Sequence, residues 1–495
     1  MVIVAGGGST GLGVAWDLAL RGIPVTLLEA GQLTEGTSGR FHGLLHSGGR
    51  YLVTDAAVGR ECYEENALLK RLVPEAIEDT GGYFVRFEND DADFEKRWLE
   101  AAERVGMPAR PVVPRDLLKR VPSLRRDVAS AYLVPDGGID SFRLERSLVE
   151  GIVTHGGTVL TGRRVLGPVE SDGILQGVRV QGRDGEEVLP CDAFVNACGP
   201  WAGQVAAAFG LGIRMHLARG TMIIFANRQV PACINHLARP GDGDILVPHD
   251  RVAIFGTTDV RQEEPEAPAP PPEEIQHLME LGRRMFPAID EWRVLRAFAG
   301  VRPLYDPAAE GREGRQTSRS YSVLDHGREG GVVGAFSIVG GKLTTFRLMA
   351  ERAADAVCSY IGEDRPSRTR EVPLPAGRQA SVPLQGAGSA RVLCECEGVT
   401  DAAFRRGHGA PLGRRRVDTW FAMGPCQGTF CGHRAAAVRA EEAGLEVARH
   451  ELCQLRAERL RGFGPVAWGD NARELLLQRH VLAESLAEEL PEGNP

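Results

Sequence analysis

The chain opens on a buried-strand run, Val2-Ile3-Val4-Ala5, that feeds directly into Gly6-Gly7-Gly8-Ser9-Thr10-Gly11 and then a segment with helical spacing. A strand, a G-x-G-x-x-G turn and a helix in that order build a diphosphate cradle. Gly6 permits the tight turn, Gly8 lets the backbone approach the pyrophosphate, and Gly11 lets the helix pack on its strand with its N-terminus toward the anion. The pattern continues through Ala15, Leu18, Gly22 and Val25 into a second strand, Pro24-Val25-Thr26-Leu27-Leu28, which ends at Glu29. That acid is placed to accept the ribose hydroxyls of a dinucleotide. The spacing predicts an α/β dinucleotide-binding fold over a merely structural glycine turn, but it does not separate NAD from FAD.

With 495 residues the chain has length for two or three domains and a large core. A net charge of −8 argues against nonspecific nucleic-acid binding. No apolar run of eighteen or more residues predicts a membrane span. The first residues already belong to the nucleotide strand, so no secretory signal is expected and the protein reads as cytoplasmic. Ten cysteines in that setting are expected to serve metal or redox chemistry where they cluster, not a disulfide framework.

Strand-like and helical runs alternate to about residue 365. Leu144 to Thr154 has helical spacing, Gly156 to Leu160 starts a strand, and Ala193 to Ala197 is a buried strand ending in Cys198-Gly199-Pro200-Trp201. Val252 to Asp259 reads as a strand running to a polar turn. Glu263 to Glu274, with five prolines and five acids, reads as a solvated loop before a helix from Ile275 to Met285. Residues 366–391, dense in Pro, Gly, Ser and Arg, read as a linker. Leu455 to Leu490 shows helical spacing.

Beyond that linker, Cys394-Glu395-Cys396 is followed after 29 residues by Cys426-Gln427-Gly428-Thr429-Phe430-Cys431. Four thiolates in two close pairs can ligate one centre, and four are what a [2Fe–2S] cluster requires. Zinc is the competing reading, although its knuckles usually use C-x2-C spacing. Gly424-Pro425 and Gly428 allow backbone amides to turn toward sulfur. Cys62, Cys191, Cys198, Cys233, Cys358 and Cys453 are scattered and read mostly as small core residues. From about Val392 to Ala440 the segment resembles the small helical domains related to bacterioferritin-associated ferredoxin. That resemblance implies a [2Fe–2S] cluster on Cys394, Cys396, Cys426 and Cys431.

Three further segments could handle an anion. Gly36-Thr37-Ser38-Gly39-Arg40 precedes Leu44-Leu45-His46-Ser47-Gly48-Gly49-Arg50-Tyr51, where hydroxyls, glycines, a histidine and two arginines fall together. Gly300-Val301-Arg302-Pro303 places an arginine between an apolar run and a proline. Gly340-Gly341-Lys342-Leu343-Thr344-Thr345 puts a glycine turn, a lysine and paired threonines at an expected helix start, which suits a flavin ring or a phosphate. Arginine suits bidentate phosphate recognition and lysine supplies a compact charge. Solvated surface turns are the blander account of each segment taken alone.

Together these segments resemble the FAD-dependent glycerol-3-phosphate dehydrogenases, within the broader family that includes D-amino-acid oxidase. With the four-cysteine region added, the chain resembles the flavin-bearing subunits of the anaerobic, quinone-linked enzymes. The resemblance implies a Rossmann-like FAD-binding domain (about 1–85, 135–215 and 320–365) with an inserted α+β substrate domain (about 86–134 and 216–319). A small helical iron–sulfur domain with its tail, 392–495, follows the linker. It further implies FAD at Gly6, Gly8, Gly11 and Glu29, with contacts from Thr37, Ser38, Gly199, Trp201, Gly341 and Thr344. Glycerol 3-phosphate would be held by Arg50, Tyr51, Arg302 and Lys342, and electrons would pass to partner subunits and a quinone. Membrane association is expected to be peripheral only, on the inner face and through partners. His46, Arg50, Arg302 and Lys342 are the catalytic candidates. His46 is the titratable choice for the base, with arginine-assisted proton transfer to water as the alternative. Ser47 and Gly49 depart from the spelling common in aerobic relatives. The remaining readings are a flavin enzyme for a 2-hydroxy acid or an amino acid, and a non-catalytic redox sensor.

Overall fold

The structure, a computed structural model, describes residues 1–305, 320–376 and 391–484, with side chains to 481. A six-stranded sheet runs in the order Tyr321–Asp325, Ala335–Gly340, Ala193–Asn196, Val2–Ala5, Val25–Glu29, Thr158–Thr161. All neighbours are parallel except the Tyr321–Asp325 edge. The opening strand is buried on both faces, which explains its unbroken apolar run. Val2 and Val4 pack toward the helices Ser9–Leu20, Ser141–Thr154 and Phe346–Ile361, and Ile3 and Ala5 pack toward a small antiparallel sheet, Arg164–Pro190. The sheet's carboxyl ends carry the glycine turn, as ligand sites on such sheets do.

The second body is built on a nine-stranded sheet. Its longest pair, His216–Ala226 against Val294–Leu304, runs antiparallel over their whole length. The expected boundary near 85/86 falls inside the strand Gly82–Phe87, which belongs to this larger sheet. The helix read from Ile275 begins at Pro272, because proline is tolerated in a first turn and Glu273 and Glu274 favour the helix N-terminus. The proline-rich segment before it is therefore shorter than expected.

Residues 366–376 are not a free linker. Thr369 is fully buried, Ser367 donates to Asp17 and Leu374 packs into the core beneath Trp16. Asp17 also takes Arg21, the residue that caps the same helix, at 2.5 Å, with neither side chain exposed. Composition hid this, because the segment is held by polar anchors and one leucine. Residues 377–390 of the expected linker lie outside the described residues.

The C-terminal unit joins a short ribbon, Val392–Cys394 with Val399–Thr400, to helices Asp401–Arg405, Leu412–Thr419, Cys431–Ala443 and Leu445–Leu460. The helical run expected from Leu455 is interrupted by Gly464–Val466 before Gly469–Glu484, since Gly462, Gly464 and Pro465 break the pattern. Val466 inserts into the core of the nine-stranded body. Arg414 reaches the buried Glu145 at 2.6 Å, Arg146 donates to the Val417 carbonyl at 2.8 Å, and the Ala297 amide donates to the Gly462 carbonyl at 3.0 Å. The cysteine-bearing unit is thus seated on both other bodies.

Candidate active site

The glycine turn is built for close approach of backbone to backbone. Gly6 has φ +109°, and a Cβ there would lie 2.5 Å from the Ala197 carbonyl oxygen; one on Gly11 would lie 2.0 Å from that of Gly6. Only glycine fits either place. Glu29 is held at its strand tip by two amides, Gly7 at 2.7 Å and Gly31 at 2.6 Å, one to each oxygen. Each oxygen keeps a lone pair for a further donor. Ser38 Oγ accepts from the Ser9 amide at 3.0 Å, drawing the Thr37–Gly39 turn over the helix start near Gly8. Trp201 packs on Gly36 and donates to Glu266 at 2.9 Å, while Gly199 turns the preceding backbone with φ +53°.

This cradle is tied to the second body. Thr37 Oγ1 donates to the Val301 carbonyl at 2.5 Å, and a Cβ on Gly300 would meet the Arg40 carbonyl oxygen at 1.9 Å. The strand end bearing Arg302 is thereby brought beside the loop that follows Glu29. Across the site, Gly341 has φ +80° and lies on Met349, and Thr344 sits in the short turn Leu343–Thr345 that leads into the helix Phe346–Ile361. Thr344 Oγ1 is buried without a hydrogen-bond partner among the described residues. A buried hydroxyl of that kind calls for a ligand acceptor or donor. An orphaned buried hydroxyl, a glycine cradle and a pinned acid together fit a flavin dinucleotide.

The cationic residues gather next to it. Arg50 pairs with Asp244 at 2.7 Å. Arg302 donates to Thr257 Oγ1 and, at 2.9 Å, to the Thr258 carbonyl, with Asp259 at 3.5 Å. It fits there because Gly220 has no side chain: a Cβ would lie 2.5 Å from its Nη2. Lys342 joins through Tyr51, its ammonium 5.0 Å from the ring centre, and the His46 ring meets the same tyrosine edge-on at 5.5 Å. Ser47 anchors the loop, because its amide and hydroxyl both donate to the buried Asp136, at 2.6 and 2.7 Å. Gly49 leaves room for the Phe84 ring, and its carbonyl accepts from Trp98. The His46–Tyr51 loop is therefore fixed from beneath.

Three participants escaped the sequence reading. Asp244 is one, and the Thr257–Asp259 turn that cradles Arg302 is another. The third is His42, which feels both Arg50 and Arg302; burial first, then those two cations, push it down to about 3. The hint lay in the sequence, since His42 falls between Arg40 and His46, but two of the groups that act on it, Asp244 and Arg302, come from distant segments.

The four cysteines form a separate place. The Cys394 and Cys426 thiols both contact that of Cys431, and Cys396 contacts Cys426. Amides of Ala422 and Glu397 point at Cys394, and those of Gly428 and Phe430 at Cys426. Contact with Cys431 and these amides bring Cys426 down to about 5 against the cost of burial. Among the described residues no group of three or more His, Cys, Asp or Glu is arranged to hold a single metal ion. Of the scattered cysteines, Cys62, Cys191, Cys233 and Cys358 are buried and Cys198 and Cys453 half-buried.

The family profile described as FAD dependent oxidoreductase (DAO) matches residues 1–356. The chain belongs to that family. It is 38% identical to the A1 subunit of the anaerobic glycerol-3-phosphate dehydrogenase of Haloferax volcanii, over 97% of this chain and 89% of that one. It is 36% identical to the A subunit of the anaerobic glycerol-3-phosphate dehydrogenase of Escherichia coli, over 97% and 95%. In fold it is similar to the FAD complex of the glycerol-3-phosphate dehydrogenase from Bacillus halodurans, with TM-score 0.60, 20% identity, and coverage of 98% of this chain and 90% of that one. The Rossmann-type FAD body and helical C-terminal region expected from the sequence are thus what this FAD-dependent oxidoreductase has.

Proposed function

We propose that this protein oxidises sn-glycerol 3-phosphate to dihydroxyacetone phosphate, and that electrons leave through a [2Fe–2S] centre on Cys394, Cys396, Cys426 and Cys431 toward partner subunits and a quinone. The observation that carries the reading is the pair of guanidiniums, Arg50 and Arg302, that act together on one deep histidine, with the strand of Arg302 tied to the cradle loop through Thr37 and the Val301 carbonyl. Similarity along nearly the whole chain to proteins that are themselves named as subunits supports the partners.

Bound FAD supplies the acceptor for the C2 hydride. Gly6 gives the tight turn, its own amide held by the Leu28 carbonyl at 2.8 Å, while Gly8 and Gly11 would let the pyrophosphate approach the helix start; Glu29 would take the ribose, and Thr37, Ser38, Gly199, Trp201, Gly341 and Thr344 would line the remainder. Arg50 and Arg302 receive the phosphate dianion, and Lys342 with Tyr51 closes the far side. Because Asp244 fixes Arg50, and Thr257 and Thr258 fix Arg302, little reorganisation is left to do on binding. Nearby positive charge lowers the pKa of the C2 hydroxyl, and His46 takes its proton. A two-iron cluster supplies a one-electron acceptor; the amides aimed at Cys394 and Cys426 stabilise the sulfur charge it requires. No described helix is long and apolar enough to cross a membrane, and membrane association is proposed as peripheral, through the partners.

The test is anaerobic mixing of FAD-loaded protein with glycerol 3-phosphate, 2-hydroxyglutarate or a D-amino acid. Bleaching of the flavin by glycerol 3-phosphate alone is expected. Bleaching by another substrate instead, or no turnover with artificial acceptors, overturns the reading. Cys426→Ser should abolish the iron absorption and EPR signals while the flavin still bleaches; unchanged iron signals would reject the cluster assignment.

A further inference from the structure

Resting on the proposed substrate reading, we infer that His42 is a fixed hydrogen-bond donor to the bound phosphate, its Nε2–H acting as a third arm between Arg50 and Arg302. The tautomer follows from the backbone. His42 Nδ1 accepts the Leu44 amide hydrogen at 3.1 Å, so in the neutral ring the proton must reside on Nε2. Charging the ring would set an Nδ1–H against that amide hydrogen.

The surroundings act in the same direction. Among the described residues the charged groups that act on the ring are Arg50, Arg302 and Asp244, and Asp244 is already committed to Arg50 at 2.7 Å and to the Gly241 amide at 2.9 Å. The ring is set deep in the protein, yet the residue keeps some solvent contact, as expected of a group lining a cleft. No hydrogen bond among the described residues reaches its Nε2, and that atom is not closed off from solvent. A neutral N–H between two guanidiniums presents three donors and no acceptor, which selects an oxygen-rich anion. It also separates the two histidines of this loop: His42 is held in one protonation state and binds, leaving proton transfer to His46.

The experiment has two arms. In the first, glutamine, whose amide nitrogen reaches where Nε2 does, is compared with leucine in FAD-loaded protein. His42→Leu is expected to raise KM for glycerol 3-phosphate about tenfold to a hundredfold, the effect of one hydrogen bond to a charged group. kcat should change far less, flavin content should not change, and His42→Gln should restore most of the loss. In the second arm, 15N-histidine NMR of the wild-type protein, with the resonance assigned by its loss in His42→Gln, should show the neutral Nε2–H tautomer from pH 5 to 8. A KM unchanged in His42→Leu, or a His42 resonance that titrates in that range, overturns the inference. If the wild-type protein fails to turn over glycerol 3-phosphate, the proposed function falls, while the NMR arm still decides the state of His42.

Discussion

Replacing Arg302 with alanine is the sharpest perturbation of the proposed clamp. Arg302 sits at the end of the strand Val294–Leu304, where Thr257, Thr258 and Asp259 hold its guanidinium and Gly220 makes space beneath it. A phosphate bound there gains two charge-assisted hydrogen bonds, each contributing about 1.5–3 kcal/mol. Loss of both removes about 3–6 kcal/mol, or roughly two to four powers of ten in kcat/KM. The cradle is anchored through the Val301 carbonyl, a backbone group that the substitution leaves in place, so bound FAD should be retained. The assay is steady-state turnover with an artificial acceptor, with the flavin spectrum as the control for cofactor. A kcat/KM within tenfold of wild type in flavin-replete protein would refute the phosphate assignment.

Two further outcomes concern the supports of the site. Burial raises the Glu274 carboxyl, but hydrogen bonds from Arg219, Thr221 and Thr258 outweigh it and hold the group below its ordinary 4.5. Its stabilising contribution is therefore complete above about pH 4.5 and lost as pH falls through the lower folded value; acid unfolding followed by circular dichroism should be less steep in Glu274→Gln, and an identical acid limb would count against this. Glu145 has no solvent-exposed side chain and takes Arg414 from the C-terminal unit and Thr34 from beside the cradle. Breaking such a pair costs about 3 kcal/mol, the low end for buried ions because Arg414 is partly exposed. Arg414→Met should therefore speed amide exchange in the helix Leu412–Thr419 by about a hundredfold, and unchanged exchange there would show that the contact does not secure the unit.

Local patterns announced what depends on neighbours in the chain. The Val2–Ala5 strand, the Gly6–Gly11 turn and Glu29 are visible because each requirement is local: burial on both faces, a positive φ, a fixed distance along one strand–helix–strand unit. The cysteine pairs are equally visible, since spacing is their signature. Boundaries set by remote partners were misread. The 366–376 segment looks like linker until Asp17 and Trp16 are placed under it, and Gly82–Phe87 joins the larger sheet through pairing with Val128–Val134 and Cys233–His236. Ser47 looked like a departure in spelling, and its reason, Asp136, lies 89 residues away.

The amino-acid order alone thus determined the glycine turn behind its strand, the α/β class of the opening unit and the candidate cations, because glycine freedom, strand burial and residue type act over a few positions; the flavin entered through the resemblance, not through those local rules. Folding alone decided that Asp244 fixes Arg50, that a threonine turn seats Arg302, and that both guanidiniums act on His42, whose Nδ1 takes the Leu44 amide. Most of those contacts join segments about fifty to two hundred and sixty residues apart, because fields fall off with distance in space and not along the chain.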